Sequence, residues 1–161
     1  MIKVISKGWA LELAQAIDQA QKIVTLTALS FLPPNNHKPD EFGLLYSAII
    51  SAAHRIKDVV IILPAPSSQH PATAQNATAA ATLAAYGCKC KLHPMPHLLH
   101  AKTCTIDQAE AWIGSGNYTG KAAMSNREAW MVTDDPRAIA ELKNFQITLA
   151  FAAIDEKYKK P

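Results

Sequence analysis

His100-Ala101-Lys102, with Asp107 five residues further on, is the stretch of this chain richest in chemistry. On a strand, side-chain alternation sets the imidazole of His100 and the ammonium of Lys102 on one face. A neutral ring nitrogen can attack phosphorus, and an adjacent ammonium can neutralise charge as it builds on the phosphoryl oxygens. Gly114-Ser115-Gly116-Asn117 follows as a polar turn. Ser115 and Asn117 can donate to the same oxygens, and the flanking glycines let the backbone come close. Glu128, later in the chain, suits a carboxylate that accepts the other imidazole proton and fixes the tautomer. Lys121 and Arg127 flank the turn and suit neighbouring phosphates, where they would read backbone charge rather than base identity. Groups of these types would suit attack on a phosphoryl centre, a chemistry that requires no metal and no cofactor.

Such a constellation needs strands and loops to hold it, and the sequence supplies them. Ile2–Ile5 reads as a short strand, followed by a helix from about Trp9 to Lys22 with Leu13, Ile17 and Ala20 inward. Ile23–Phe31 is β-branched and apolar enough for a central strand, stopped by Pro33-Pro34. A polar, proline-containing loop leads to Asp40, a cap for a helix carrying Leu45, Ile49 and Ala52. Val59–Leu63 is a buried strand ended by Pro64, and Ser67–His70 is a loop. Residues 72–86, mostly Ala and Thr, form a helix with a small-residue packing face, ended by Gly87. Strands follow near Cys88–Leu92, Ala101–Ile106, Ala111–Ile113 and Glu128–Val132. The last helix is capped by Asp135, has Pro136 at its first position, and buries Ile139, Leu142, Phe145 and Leu149. The alternation predicts one α/β layer sandwich over residues 1–161, without a domain boundary or internal repeat.

At 161 residues, 49% hydrophobic and 18% charged, the chain is long enough for a core and too apolar for wholesale disorder. A formal charge of +3 permits a polyanionic substrate without demanding one. The basic cluster Lys157, Lys159 and Lys160 reads as a solvated tail. No apolar run is long enough for a spanning helix, and the first residues lack a signal-peptide pattern. Three cysteines cannot all pair within one chain, which points to a reduced protein. The compartment expected is cytoplasmic, or periplasmic or secreted if a signal peptide has been removed.

His-x-Lys-x4-Asp followed by Gly-Ser-x-Asn resembles the phospholipase D-like phosphodiesterases, and at this length their small single-motif nucleases. Ala28-Leu29-Ser30-Phe31 is similar to the end of the family's first core strand, and Val59–Leu63 to its second. Gly114 to Thr119 matches its phosphate-binding turn. Asn126-Arg127-Glu128 follows its pattern of an Asn two positions before the orienting Glu. The resemblance implies an α-β-α layer sandwich with a largely mixed central sheet, and a mainly structural Asp107 that ties down the loop after the motif strand. Thr103 and Thr105 depart from the family, replacing bulky apolar residues. So does the stretch from Pro33 to Asp40, which is longer and richer in proline.

Two-step hydrolysis needs a second acid–base group, because the leaving alkoxide must be protonated while the ring attacks and water must later be activated. Larger relatives carry two motifs; His100 heads the only one here. The resemblance therefore implies a homodimer with one site shared across a two-fold axis. The reading is a metal-independent endonuclease for DNA, and second for RNA, with little base specificity and a phosphohistidine intermediate. A phospholipase or other phosphodiesterase of the same mechanism is the first alternative, and a non-catalytic nucleic-acid-binding module the second. No segment advertises membrane docking, so no stable membrane association is expected.

Other side chains admit competing readings. Cys88, Cys90, His93, His97 and His100 could hold zinc, but Cys-x-Cys is shorter than the usual structural spacing, and zinc would take the lone pair of His100. Both cysteines fit better as small core residues, and His93 and His97 as exposed or lining the approach. His37, His54 and His70 have no partners visible in sequence. Trp9, Trp112 and Trp130 form no evident stacking platform, and Trp112 and Trp130 read as core.

Overall fold

The computed structural model describes residues 1–34 and 40–155. Residues 35–39 of the proline-rich loop, His37 among them, and the cluster Lys157, Lys159 and Lys160 lie outside the described residues. The elements run β1 (Ile2–Ile5), α1 (Trp9–Gln19), β2 (Val24–Thr27), α2 (Glu41–Ile56), β3 (Val59–Pro64), a 3-10 turn (Pro71–Thr73) and α3 (Asn76–Ala85). Then come β4 (Lys89–His93), β5 (Lys102–Ile106), β6 (Glu110–Gly114), α4 (Gly120–Met124), β7 (Trp130–Thr133), α5 (Pro136–Ala152) and β8 (Ile154–Asp155). The strands form one mixed sheet in the order β1-β7-β6-β5-β2-β3-β4-β8. β2, β3 and β4 are parallel, whereas β5 runs antiparallel to β2 and pairs with β6 in a hairpin. This is the expected α-β-α sandwich with a mixed sheet.

The two faces of the sheet differ in chemistry, and the register shows why. Cys90, Ile61, Leu26, Cys104 and Trp112 lie abreast across β4, β3, β2, β5 and β6. They enter the main core with Leu13 and Ile17 of α1, Leu45 and Ile49 of α2, and Leu83 of α3. The opposite face presents Thr25, Thr27, Thr103 and Thr105, and a single helix, α5, covers it. Gln146 of α5 is buried there. Its amide donates to the Thr25 carbonyl (3.2 Å) and to Thr103 Oγ1 (3.0 Å), and its oxygen accepts from Thr105 Oγ1 (2.7 Å). The two threonines that depart from the family thus answer a buried glutamine and point away from the reacting groups. Phe145, expected in the buried stripe, is 42% exposed instead, because the helix turns Gln146 inward. Leu149 is only half-buried.

Several boundaries differ from the expectation. The first core strand ends at Thr27, and Ala28–Phe31 leave the ladder to join a loop. Buried Asn76 holds that loop, donating to the carbonyls of Leu29 (2.9 Å) and Pro64 (3.0 Å) and accepting from the Phe31 N–H (3.3 Å). The first helix stops at Gln19, and residues 72–86 divide into the 3-10 turn and α3. The strand expected from Glu128 begins at Trp130, which leaves Glu128 in the loop before it. Two short elements were not foreseen. α4 is capped by Thr119, whose hydroxyl accepts from the Ala122 N–H, and β8 pairs with β4 at the sheet edge. The Asp135 cap is as expected, accepting from Arg137 and Ala138. No described helix is long and apolar enough to cross a membrane.

Candidate active site

Strand direction gathers the chemistry at one edge of the sheet. The exit of β2, the entry to β5, the exit of β6 and the entry to β7 all lie where the parallel strands end. Ser30, His100 and Lys102, Ser115 and Asn117, and Glu128 therefore converge from four separated segments. Thr27 Oγ1 fixes the entry to β5 by donating to the Ala101 carbonyl (3.0 Å), between the two motif residues, while it bonds Thr103 Oγ1 at 2.8 Å. Tyr118 secures the next peptide, its hydroxyl donating to the Thr103 carbonyl (3.1 Å).

His100 is exposed, whereas Lys102 is only 5% exposed. Lys102 Nζ donates to the carbonyl of His100 (2.7 Å) and lies 3.0 Å from Nδ1 and 3.2 Å from Nε2 of the ring. Partial burial and then the Lys102 charge lower the His100 pKa. Both effects favour the neutral ring, the form with a lone pair for phosphorus. Burial also lowers the Lys102 pKa, with Glu128 opposing. An anionic oxygen would offer this ammonium a stronger acceptor than a neutral ring does.

The turn is shaped from beneath. A Cβ on Gly114 would lie 2.2 Å from the Trp130 indole, and one on Gly116 would meet Trp130 at 3.0 Å and Trp9 at 3.1 Å. Trp9 and Trp130 stack at 4.8 Å between centroids, so the tryptophans do form a platform, one that is buried and supports the turn. Asn117 Oδ1 accepts from the Ser30 N–H (3.2 Å), which leaves the Asn117 NH2 free to donate to a phosphoryl oxygen. Ser115 Oγ donates to Glu128 (2.5 Å) while accepting from the Ala129 N–H (3.1 Å). Asn126 donates to the other Glu128 oxygen (3.0 Å). Glu128 is thus positioned within its own chain by Ser115 and Asn126, and no hydrogen bond between Glu128 and His100 is present among the described residues.

Asp107 stands apart from the other site residues. It follows the far end of β5, five strand residues or about 17 Å from the entry where His100 lies. Its carboxylate accepts from the N–H groups of Gln21 (2.5 Å), Lys22 (2.7 Å) and Ile23 (2.8 Å), closing the loop between α1 and β2. Burial raises its pKa, but the bonds from Ile23, Gln21 and Lys22 outweigh this and lower it. These bonds tie the turn after β5 to the start of β2, at the end of the strand away from His100.

Lys121 and Arg127 are both exposed near the turn. The alternative zinc set is not assembled: among the described residues no three His, Cys, Asp or Glu side chains gather to hold a metal. Cys88 and Cys90 are buried in the core, and burial pushes the Cys88 thiol up to about 12. His97 is exposed and His93 half-buried. Sequence reasoning missed Asn76, Ser30 and Trp9 as supports of the site. Only the glycine spacing in the turn hinted that something bulky lay beneath.

This fold and site define a phospholipase D-like protein, and comparison with known proteins agrees. Residues 13–147 match the family described as cardiolipin synthase, PLD-like domain. The chain belongs to the phospholipase D-like family and is an enzyme of that family. Its fold is similar to that of a phospholipase D family member, Nuc from Salmonella typhimurium, with a TM-score of 0.77 at 20% identity over 99% of both chains. NucT from Helicobacter pylori has a TM-score of 0.75 at 20% identity, over 96% of this chain and 98% of that one. Phosphatidylserine synthase from Haemophilus influenzae has a TM-score of 0.72 at 15% identity, over 99% of this chain and 40% of that one. No curated protein matches the chain in sequence.

Proposed function

We propose that the chain is a nuclease that hydrolyses DNA, and second RNA, without a metal, through phosphohistidine on His100 in a homodimer with a shared site. The observation that carries the reading is Lys102 Nζ against the His100 ring at 3.0 Å, with the Asn117 NH2 left unspent among the described residues. In the first step a neutral His100 ring nitrogen bonds to phosphorus and the bond to the leaving oxygen breaks. That oxygen takes a proton from the His100 imidazolium of the second protomer. In the second step the now neutral second ring removes a proton from water, whose oxygen displaces the first ring. The net change is one diester and one water to one alcohol and one monoester. Lys102 and the Asn117 NH2 would carry the oxygen charge, Ser115 would reach those oxygens only by giving up its bond to Glu128, and Lys121 and Arg127 would lie on adjacent phosphates. Glu128, already held by Ser115 and Asn126, would fix the ring tautomer across the two-fold axis. Asp107 would hold the scaffold.

Length and whole-chain likeness to Nuc and NucT favour the small-nuclease reading. The family description keeps phospholipid diesters as the second reading. Supercoiled DNA incubated with the protein in excess EDTA should be nicked, and His100→Ala should abolish nicking. Light scattering should report a dimer. No nicking in chelator with recovery on adding zinc or magnesium would refute the metal-free step, and a fully active monomer would refute the shared site. Cleavage of phospholipid vesicles with DNA untouched would favour the second reading.

A further inference from the structure

The catalytic edge continues past Glu128 into a cavity of about 520 Å³. Lys7, just ahead of α1, Glu41 and Leu44 at the start of α2, and Met124 and Asn126 beside α4 form its walls. Leu44 and Met124 are 44% and 52% exposed. Two of the polar groups are already spent: Asp40 accepts from the Gly43 N–H, and Asn126 donates to Glu128. The Lys7 ammonium and the Glu41 carboxylate make no hydrogen bond or ion pair among the described residues. The cavity thus combines exposed apolar side chains with one unspent cation and one unspent acceptor. Carboxylates at 40 and 41 disfavour a phosphate inside it, and an acyl chain would have to desolvate charges without pairing them. A ring that is apolar on its faces and polar on its edge fits all of these walls.

We propose that this cavity receives the nucleobase next to the scissile phosphate, its faces against Leu44 and Met124 and its exocyclic amine donating to Glu41. The inference rests on the nuclease reading and names the subsite of that same site. Glu128 supplies the adjacency, since it lines the cavity and is also hydrogen-bonded to Ser115 of the phosphate-binding turn. A base can enter only when unpaired, so the preferred substrate is single-stranded or frayed. Cytosine, adenine and guanine carry an amine for the carboxylate, whereas thymine and uracil carry none. One exposed charge-assisted hydrogen bond gives a preference of about fivefold, compatible with an enzyme of little overall specificity.

Single-stranded oligonucleotides varied at the positions flanking one labelled diester, with an abasic member, test this directly. The abasic member also serves as the diester without a base. Amine-bearing bases at one flanking position should be cut about fivefold faster than thymine, and the abasic strand more slowly still. Glu41→Gln should level the profile. Leu44→Ala with Met124→Ala should raise KM for oligonucleotides while leaving turnover of the baseless diester unchanged. The proposal falls if these variants keep the wild-type profile, if they lose the baseless diester equally, or if only phospholipid vesicles respond to them. Wild-type protein that cleaves neither diester would sink the nuclease reading itself. Cleavage of both with a flat base profile would sink the base pocket alone.

Discussion

Removing the Asp107 carboxylate should cost stability and spare chemistry. Three backbone N–H groups converge on it, and its own φ is 51°, a left-handed conformation that Asn tolerates better than Ala. Gln21 and Lys22 are exposed and can turn to water, whereas Ile23 is half-buried. Asp107→Ala therefore loses about 1.5 kcal/mol of net hydrogen bonding and about 1 kcal/mol from backbone strain, roughly 2.5 kcal/mol together. With a urea slope of about 2 kcal/mol per M, the midpoint should fall by more than about 1 M. Asp107→Asn keeps the left-handed backbone and the Oδ1 acceptor for Lys22 and Ile23, losing only the bond to Gln21, so its cost should be about 1 kcal/mol. The lowered pKa fixes the sign of the pH dependence. The advantage of Asp over Asn is present above the unfolded carboxylate value and is lost as pH falls through the lower folded value. Urea titrations at several pH values, with turnover measured per folded molecule, check both parts. A variant of wild-type stability whose turnover drops a hundredfold would refute the scaffold role and return Asp107 to the proton-transfer step.

Lys102→Met should lower kcat by about a hundredfold or more. It should also move the acid limb of the pH–rate profile upward, because the ammonium is one of the two causes lowering the His100 pKa. Gly114→Ala forces a Cβ to within 2.2 Å of the Trp130 indole and should cost about 3 kcal/mol in thermal or chemical denaturation. Gly116→Ala, with 3.0 Å, should cost less. Gln146→Ala strands Thr105 and part of Thr103 beneath α5, so about 2 kcal/mol should be lost in denaturant titration with turnover of the folded fraction intact.

The sequence by itself determined the class of fold and the pairing of His100 with Lys102. His100 and Lys102 lie two residues apart and meet directly, and the Asp40 and Asp135 caps are local, so spacing was enough to place them. The alternation of strand and helix patterns required a layered α/β domain. Tertiary structure decided what depends on distant partners. Asn117 is oriented by Ser30, 87 residues away, and the Asp107 carboxylate finds its partners in the N–H groups of Gln21 to Ile23, more than 80 residues earlier in the chain. The burial of Gln146 in place of Phe145 follows from four threonines that only sheet register brings abreast. The Trp9–Trp130 stack, joining α1 to β7, is the bulk that the spacing of Gly114 and Gly116 could only hint at. Periodicity reports which face an element buries; what lies opposite that face is settled only when the strands take their order.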